Sequence, residues 1–116
     1  MQLMVIILKK HEKLDALLTS FADHDVRGAT ILDSTGMATE LAAKHDEEEF
    51  LFLGSLRSIL NQEREVSKTI LMVVQDEKVE EVKSIVNNVC GDLTKPNTGI
   101  LFTCPISSIV GGSFNK

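Results

Sequence analysis

Two short segments of this chain have the residue types of an anion-binding loop. Ser34-Thr35-Gly36-Met37 and Asn97-Thr98-Gly99 each set hydroxyl or amide side chains beside a glycine. Glycine permits positive φ and close backbone approach, and hydroxyls with free N–H groups can cradle phosphate oxygens. The same residues are also ordinary turn chemistry, and on spacing alone the turn is the better account. Other chemistry is thinner. His11, His24 and His45 are scattered, and none belongs to a ligand motif. The run His45-Asp46-Glu47-Glu48-Glu49 could hold a cation, but oxygen-rich runs of this kind are usually solvated. Asp33-Ser34-Thr35-Gly36 has the composition of an aspartic-protease loop without its order or a second carboxylate motif. Ser34 has no evident base. Cys90 and Cys104 have no further ligands at metal spacing, and are expected to be buried or partly buried thiols. The expectation is a protein without catalytic activity.

Composition narrows the partners. The 116 residues carry a net charge of −5, which argues against nucleic acid, since that affinity rests on Lys and Arg neutralising phosphates. Lys9 and Lys10 are adjacent, so a local basic patch is compatible with this balance. No apolar run reaches the roughly 18 residues of a membrane span. Met1 to Leu8 lacks the leader and cleavage site of a signal peptide, so a cytoplasmic site is expected. Hydrophobic residues make up 43% of the chain with no Trp or Tyr and five Phe; the core must therefore be built from Leu, Ile, Val and Met.

These residues are positioned by a strand–helix–strand unit that occurs twice. Leu3 to Leu8 is an apolar run of strand length. Leu14, Leu17, Leu18 and Phe21 recur at the spacing of one helical face. Asp23-His24-Asp25 and Gly28 close that helix, and Ala29 to Ser34 reads as a second strand stopped by Gly36. The plan repeats with a strand over Thr69 to Val74, an Asp76 cap, and a helix with Val79, Val82, Val86 and Val89 on its stripe and Ile85 beside it. Gly91 ends this helix. Pro96 to Gly99 is a turn, and Ile100 to Cys104 is a strand cut by Pro105. Ile106 to Val110 could add a short segment.

The connection between the units, 37–67, is roughly thirty residues long where about 4–6 is usual. Ala38 to Lys44 is small and polar, and is expected to be mobile. Asp46 followed by Glu49 has capping-box spacing, and Phe52, Leu56, Ile59 and Leu60 follow at helical spacing. The insert is therefore expected to carry a helix from about Glu47 to Gln62. Its apolar stripe either packs on the body or a neighbouring subunit, or docks a partner through Phe52, Leu56 and Ile59.

The doubled unit predicts one domain over 1–116 with a ferredoxin-like βαββαβ sandwich: an antiparallel four-stranded sheet with two helices on one face and the insert at 37–67. An antiparallel sheet half in water should alternate apolar and polar residues. The first and third strands are apolar at nearly every position. Both faces therefore require burial, which predicts a homo-oligomer closing over the open face.

Val26-Arg27-Gly28-Ala29-Thr30-Ile31, with Gly36 six residues after Thr30, resembles the second strand and the base of the large T-loop of the PII signalling proteins. Asp76-Glu77-Lys78-Val79-Glu80-Glu81-Val82 looks like the start of their second helix. Gly99 to Ile106 is similar to their last strand, with its Pro followed by an aliphatic residue. The match covers nearly the whole chain except 38–68. It implies a homotrimer whose sheets face inward, and an adenine nucleotide or other small effector bound between subunits. It also implies a T-loop that regulates a target enzyme or membrane transporter. By position, the cleft would involve Thr30, Gly36, Met37 and the Asn97-Thr98-Gly99 turn, with Thr35 beside it.

Departures from the family pattern qualify the effector. The family's Gly-Asp-Gly-Lys run corresponds to Pro96-Asn97-Thr98-Gly99-Ile100, with Ile100 at the lysine position and Lys95 out of register. The paired arginines after the last strand are absent from Ser107 to Gly112, and there is no tyrosine for nucleotidylylation. Each lost charge-assisted contact to phosphate is worth about 1.5–3 kcal/mol. A less charged nucleotide, another metabolite or an anion therefore fits better than ATP held in the usual way. Rival readings are a metal-binding trimer of the CutA kind using His45 and Glu48, and an interaction module whose insert holds a partner constitutively. An ACT-type amino-acid-binding domain shares the topology but usually sits beside a catalytic domain.

Overall fold

The computed structural model of the protein describes residues 1–44 and 66–112. Its elements are β1 (Gln2–Leu8), α1 (Leu14–Asp23), β2 (Thr30–Ser34), α2 (Met37–Lys44), β3 (Ser67–Val74), α3 (Val79–Cys90) and β4 (Gly99–Pro105). Short 3-10 turns at His11–Lys13 and Asp76–Lys78 lead into α1 and α3. The strands form one antiparallel sheet in the order β2-β3-β1-β4. This is the expected ferredoxin-like βαββαβ topology, with helix in the insert.

Period-two alternation divides the sheet into two faces. Met4, Ile6 and Leu8 of β1 and Ile70, Met72 and Val74 of β3 point under the helices and are buried. Leu17 and Phe21 of α1, with Val82, Ile85 and Val86 of α3, close over them. Each such side chain contributes about 1.5–3 kcal/mol when fully buried. In α3 the buried stripe runs through Val82, Ile85, Val86 and Cys90, while Val79 and Val89 are only partly covered. The stripe is thus rotated toward Ile85 from the all-valine face expected.

The helix ends follow local rules with one exception. After α1 the Val26 N–H donates to the Phe21 carbonyl at 2.8 Å and the Asp25 N–H to the Ala22 carbonyl at 3.1 Å. Asp25 takes φ 58, so it supplies the left-handed residue of a Schellman closure. Gly91, at φ 82, ends α3. The exception is Asp76, which does not cap α3. Residue Gln75 stands at the start of the turn without a side-chain cap. Asp76 instead accepts from the Met1 ammonium at 3.0 Å and the Gln2 amide at 3.2 Å. It therefore ties the second unit to β1.

Two expectations about order require correction. Ala38 to Lys44 is helical rather than mobile. Its Ala, Glu, Leu and Lys are strong helix formers, and Gly36 supplies the first carbonyl, bonded by the Glu40 N–H at 3.0 Å. Pro105 does not cut the last strand but pairs with Gln2 as its final residue. β4 is an edge strand, where a missing N–H is tolerated. Ile106 to Val110 forms no further strand or helix; its tie to the body is the Ile106 N–H to the Met1 carbonyl at 3.1 Å. The helix expected over Glu47 to Gln62 lies outside the described residues, with Phe52, Leu56 and Ile59.

The second sheet face carries no helix among the described residues. The register aligns Thr30, Leu71, Val5 and Phe102 in one row and Leu32, Thr69, Ile7 and Ile100 in the next. Leu32, Phe102 and Ile100 are 47%, 42% and 53% exposed. An isolated chain would leave this apolar surface in water.

Candidate functional site

The two segments singled out for their hydroxyls and glycines lie at the same end of the sheet. Gly99 pairs with Leu8, Leu8 with Lys68, and Lys68 with Asp33, so the Asn97–Gly99 turn and the exit of β2 are level. They stand on opposite edges, because β4 and β2 are the outer strands. Three strand spacings, about 14 Å, separate them. Within one chain the structure does not bring them together.

On the β4 edge, the turn is organised by Thr98, which is buried to 3% exposure. Its Oγ1 donates to the carbonyls of Lys95 at 2.8 Å and Leu93 at 3.2 Å. Its own carbonyl accepts from the N–H groups of Lys9 at 3.1 Å and Lys10 at 3.4 Å. Thr98 is therefore committed to shape, and its hydroxyl is not offered to a ligand. Asn97 is exposed at φ 61. Gly99 has φ +147, and a Cβ there would stand 2.4 Å from the Ile7 carbonyl oxygen. Only glycine lets β4 enter the sheet at this point.

On the β2 edge, Thr35, Gly36 and Met37 are consecutive at the start of α2. The Thr35 hydroxyl donates to Glu40 Oε1 at 2.7 Å, and Met37 is 80% exposed. Gly36 is not in the positive-φ region, and a Cβ there would meet nothing within 4 Å. Its glycine is not required by the backbone, in contrast to Gly99. Thr30 begins β2, five residues or about 17 Å along the strand from Thr35, and faces the open side. It belongs to the same edge but not to the same point.

Below Gly36 the insert is rooted by contacts on both faces of the sheet. On the open face Ser67 Oγ donates to the Ser34 carbonyl at 3.0 Å, Ser34 Oγ reaches the Ser67 carbonyl at 3.3 Å, and Thr69 Oγ1 donates to Ser34 Oγ at 2.7 Å. On the helix face Lys68 pairs with Asp33. The two serines and the threonine use all three hydroxyl protons on one another and the backbone. This cluster can therefore be covered without leaving a polar group unsatisfied.

The structure adds a feature that sequence reasoning missed. A groove of about 450 Å3 runs between α3 and the outer edge of β4. Val86, Leu93 and Leu101 line it, Lys83, Asn87, Asp92 and Thr94 add polar groups, and it reaches Gly99 and Ile100. Asp92 accepts from the Thr94 hydroxyl at 2.7 Å and the Thr94 N–H at 2.9 Å. These bonds, the hydroxyl's first, hold its carboxyl below the usual range. Lys83 and Asn87, four residues apart beside the apolar stripe, were the legible signal. Their meaning depended on which strand α3 would cover.

The thiols differ in exposure. Cys90 is buried and burial raises its pKa. Cys104 is exposed on the open face, where the expectation was burial or partial burial. Among the described residues no group of three or more His, Cys, Asp or Glu could hold a metal ion; His45 and Glu48 lie outside them. No helix of the described residues is long and apolar enough to cross a membrane.

No curated protein matches the chain. The family described as "Nitrogen regulatory protein P-II" matches residues 1–111, nearly the full length, so the chain belongs to this family of non-catalytic signalling proteins.

Proposed function

We propose that the protein is a trimeric sensor. A small effector binds between copies, with the Asn97–Gly99 turn of one chain facing Thr35, Gly36 and Met37 of the next. Thr30 lies along the same edge, where the far end of an elongated effector would reach. One observation carries this reading: the two half-sites are level on the sheet but on opposite edges of one chain. A second copy, edge to edge, is the simplest way to make them one cleft. The apolar open face, including Leu32, Ile100 and Phe102, supports assembly, because its burial supplies the driving force.

Effector binding changes the population of insert conformations, and the insert regulates a target enzyme or transporter in the cytoplasm. Phe52, Leu56 and Ile59 are its docking residues. The effector is an adenine nucleotide of low charge, another metabolite or an anion, because position 100 holds Ile where a lysine would contact phosphate.

Thermal melting against nucleotides, cyclic dinucleotides and common anions tests the reading, since a ligand at 100 times its Kd adds about 2.7 kcal/mol. The expected result is a stabilising ligand whose effect Gly36→Arg abolishes without loss of fold. A protein that sediments as a monomer at micromolar concentration, or a ligand indifferent to both half-sites, would refute it.

A further inference from the structure

The groove beside β4 carries opposite charges at its two ends. Lys83 stands seven residues before Cys90, the last residue of α3, or about 10 Å along the helix axis. Asp92 lies just past that end. Both line the groove, yet they are not paired with each other among the described residues. The ammonium of Lys83 meets Glu80 at 3.2 Å in an exposed pair, which is readily exchanged. Both bonds that Asp92 accepts from Thr94 fall on Oδ1, so Oδ2 remains available to a donor. The same groove is lined by the apolar side chains of Val86, Leu93 and Leu101. Asn87, one turn from Lys83, adds an amide donor on the same side.

A polyphosphate does not suit this lining, since it holds one cation and an opposing carboxylate. A purely apolar ligand would strand both charges. We propose that the groove binds a small zwitterion whose ammonium and carboxylate are separated by a short apolar chain. The ammonium lies against Asp92 and the carboxylate against Lys83 and Asn87. ω-Amino acids and short peptides have this pattern. The groove reaches Gly99 and Ile100, so its ligand would touch the strand that the Asn97–Gly99 turn introduces. The inference rests on the sensor reading for that consequence alone; the binding itself needs only one chain.

The test is calorimetry of the full chain with 6-aminohexanoate, using hexanoate and hexylammonium as single-charge controls. The zwitterion should bind about tenfold more tightly than either control, as one charge-assisted contact provides. Lys83→Met should remove the preference over hexylammonium, and Asp92→Asn the preference over hexanoate. Lys83→Arg should keep both, and Glu80→Gln should leave binding equal or tighter by freeing Lys83. In Asp92→Asn the side-chain amide carbonyl can still accept from Thr94, so the turn survives that change. Equal affinity for zwitterion and controls, absence of binding, or affinities unmoved by Lys83→Met and Asp92→Asn would each overturn the proposal. If 6-aminohexanoate fails while a nucleotide stabilises the protein through Gly36, the groove inference falls and the sensor reading stands. If it binds as expected while no ligand alters assembly or insert, the groove inference stands without the sensor.

Discussion

Gly99→Ala is the most decisive single change. Residue 99 has φ +147, and its added Cβ would sit 2.4 Å from the Ile7 carbonyl oxygen, with Leu8 Cα at 3.3 Å. The obstacle is backbone, so no rotamer change relieves it. Holding a non-glycine residue in such a conformation costs about 1–3 kcal/mol. Forcing an extra carbon into a packed site costs about 1–3 kcal/mol more. The sum, about 2–6 kcal/mol, is a large share of a typical domain stability of about 5–15 kcal/mol. The only relief is to move β4 away from β1, which opens the Leu8–Gly99 and Ile7–Ile100 pairs and displaces the turn. Urea unfolding should show the loss, and melting should fall by about 8 °C or more. Gly36→Ala is the control. It meets nothing within 4 Å and should change stability by no more than about 0.5 kcal/mol. A Gly99→Ala protein that melts within about a degree of wild type would refute the claim that this turn is fixed by its glycine.

Thr98→Val removes the Oγ1 bonds to Leu93 and Lys95 while keeping the shape, and should cost about 1–3 kcal/mol. Slower loss of amide protection at Lys9 and Lys10 than at Lys95 would show that only the hydroxyl's side of the turn loosened; unchanged urea midpoints would contradict its role. Thiol labelling reports assembly: with the open face covered by further copies, neither the buried Cys90 nor Cys104 should react in the native protein, and Phe102→Lys, at an exposed position of that face, should free one thiol. Rapid labelling of Cys104 in the wild type would mean that the face is bare. Asp76 is held below the usual carboxyl range by the Met1 ammonium's hydrogen bond and then by the Gln2 amide. Because its folded pKa is depressed, its stabilisation is complete above the unfolded value and is lost as pH falls through the folded one. Asp76→Asn should therefore flatten the acid limb of a urea-midpoint profile; an unchanged limb would refute the tie.

The fold was legible because the apolar runs of β1 and β3 and the helical spacing of Leu14 to Phe21 do not depend on distant context. What escaped sequence reading depended on context or on propensity. Size and polarity are a poor guide to Ala38 to Lys44, whose helix propensity decides its structure. Asp76 had a good capping composition, but a side-chain oxygen goes to its strongest donors. Here those are an ammonium and an amide 75 and 74 residues away. The seven residues proposed for the cleft divided in a way that spacing could not reveal. Gly99 is required by the backbone, Thr98 is spent on the turn, and Gly36 is conformationally free. The groove was invisible because it exists only once α3 and β4 are neighbours.

The rooting of the insert constrains how an effector could act on it. Ser34, Ser67 and Thr69 lock the exits of β2 and β3 on one face, and Asp33 and Lys68 pair on the other. A change transmitted through β2 would have to break both sets together. Thr35 and Gly36 lie immediately beyond this lock, where neither residue has positive φ and a Cβ on Gly36 would meet nothing within 4 Å. On the proposed reading, an effector seated on a neighbour's Asn97–Gly99 turn therefore meets the insert at its first adjustable point rather than through the sheet. The signal then passes between copies, and its size is set by the effector's differential affinity for the insert states. A tenfold difference shifts that equilibrium by about 1.4 kcal/mol. The exposed hydrogen bond from Thr35 to Glu40 and the first turn of α2 are among the contacts against which that preference would work.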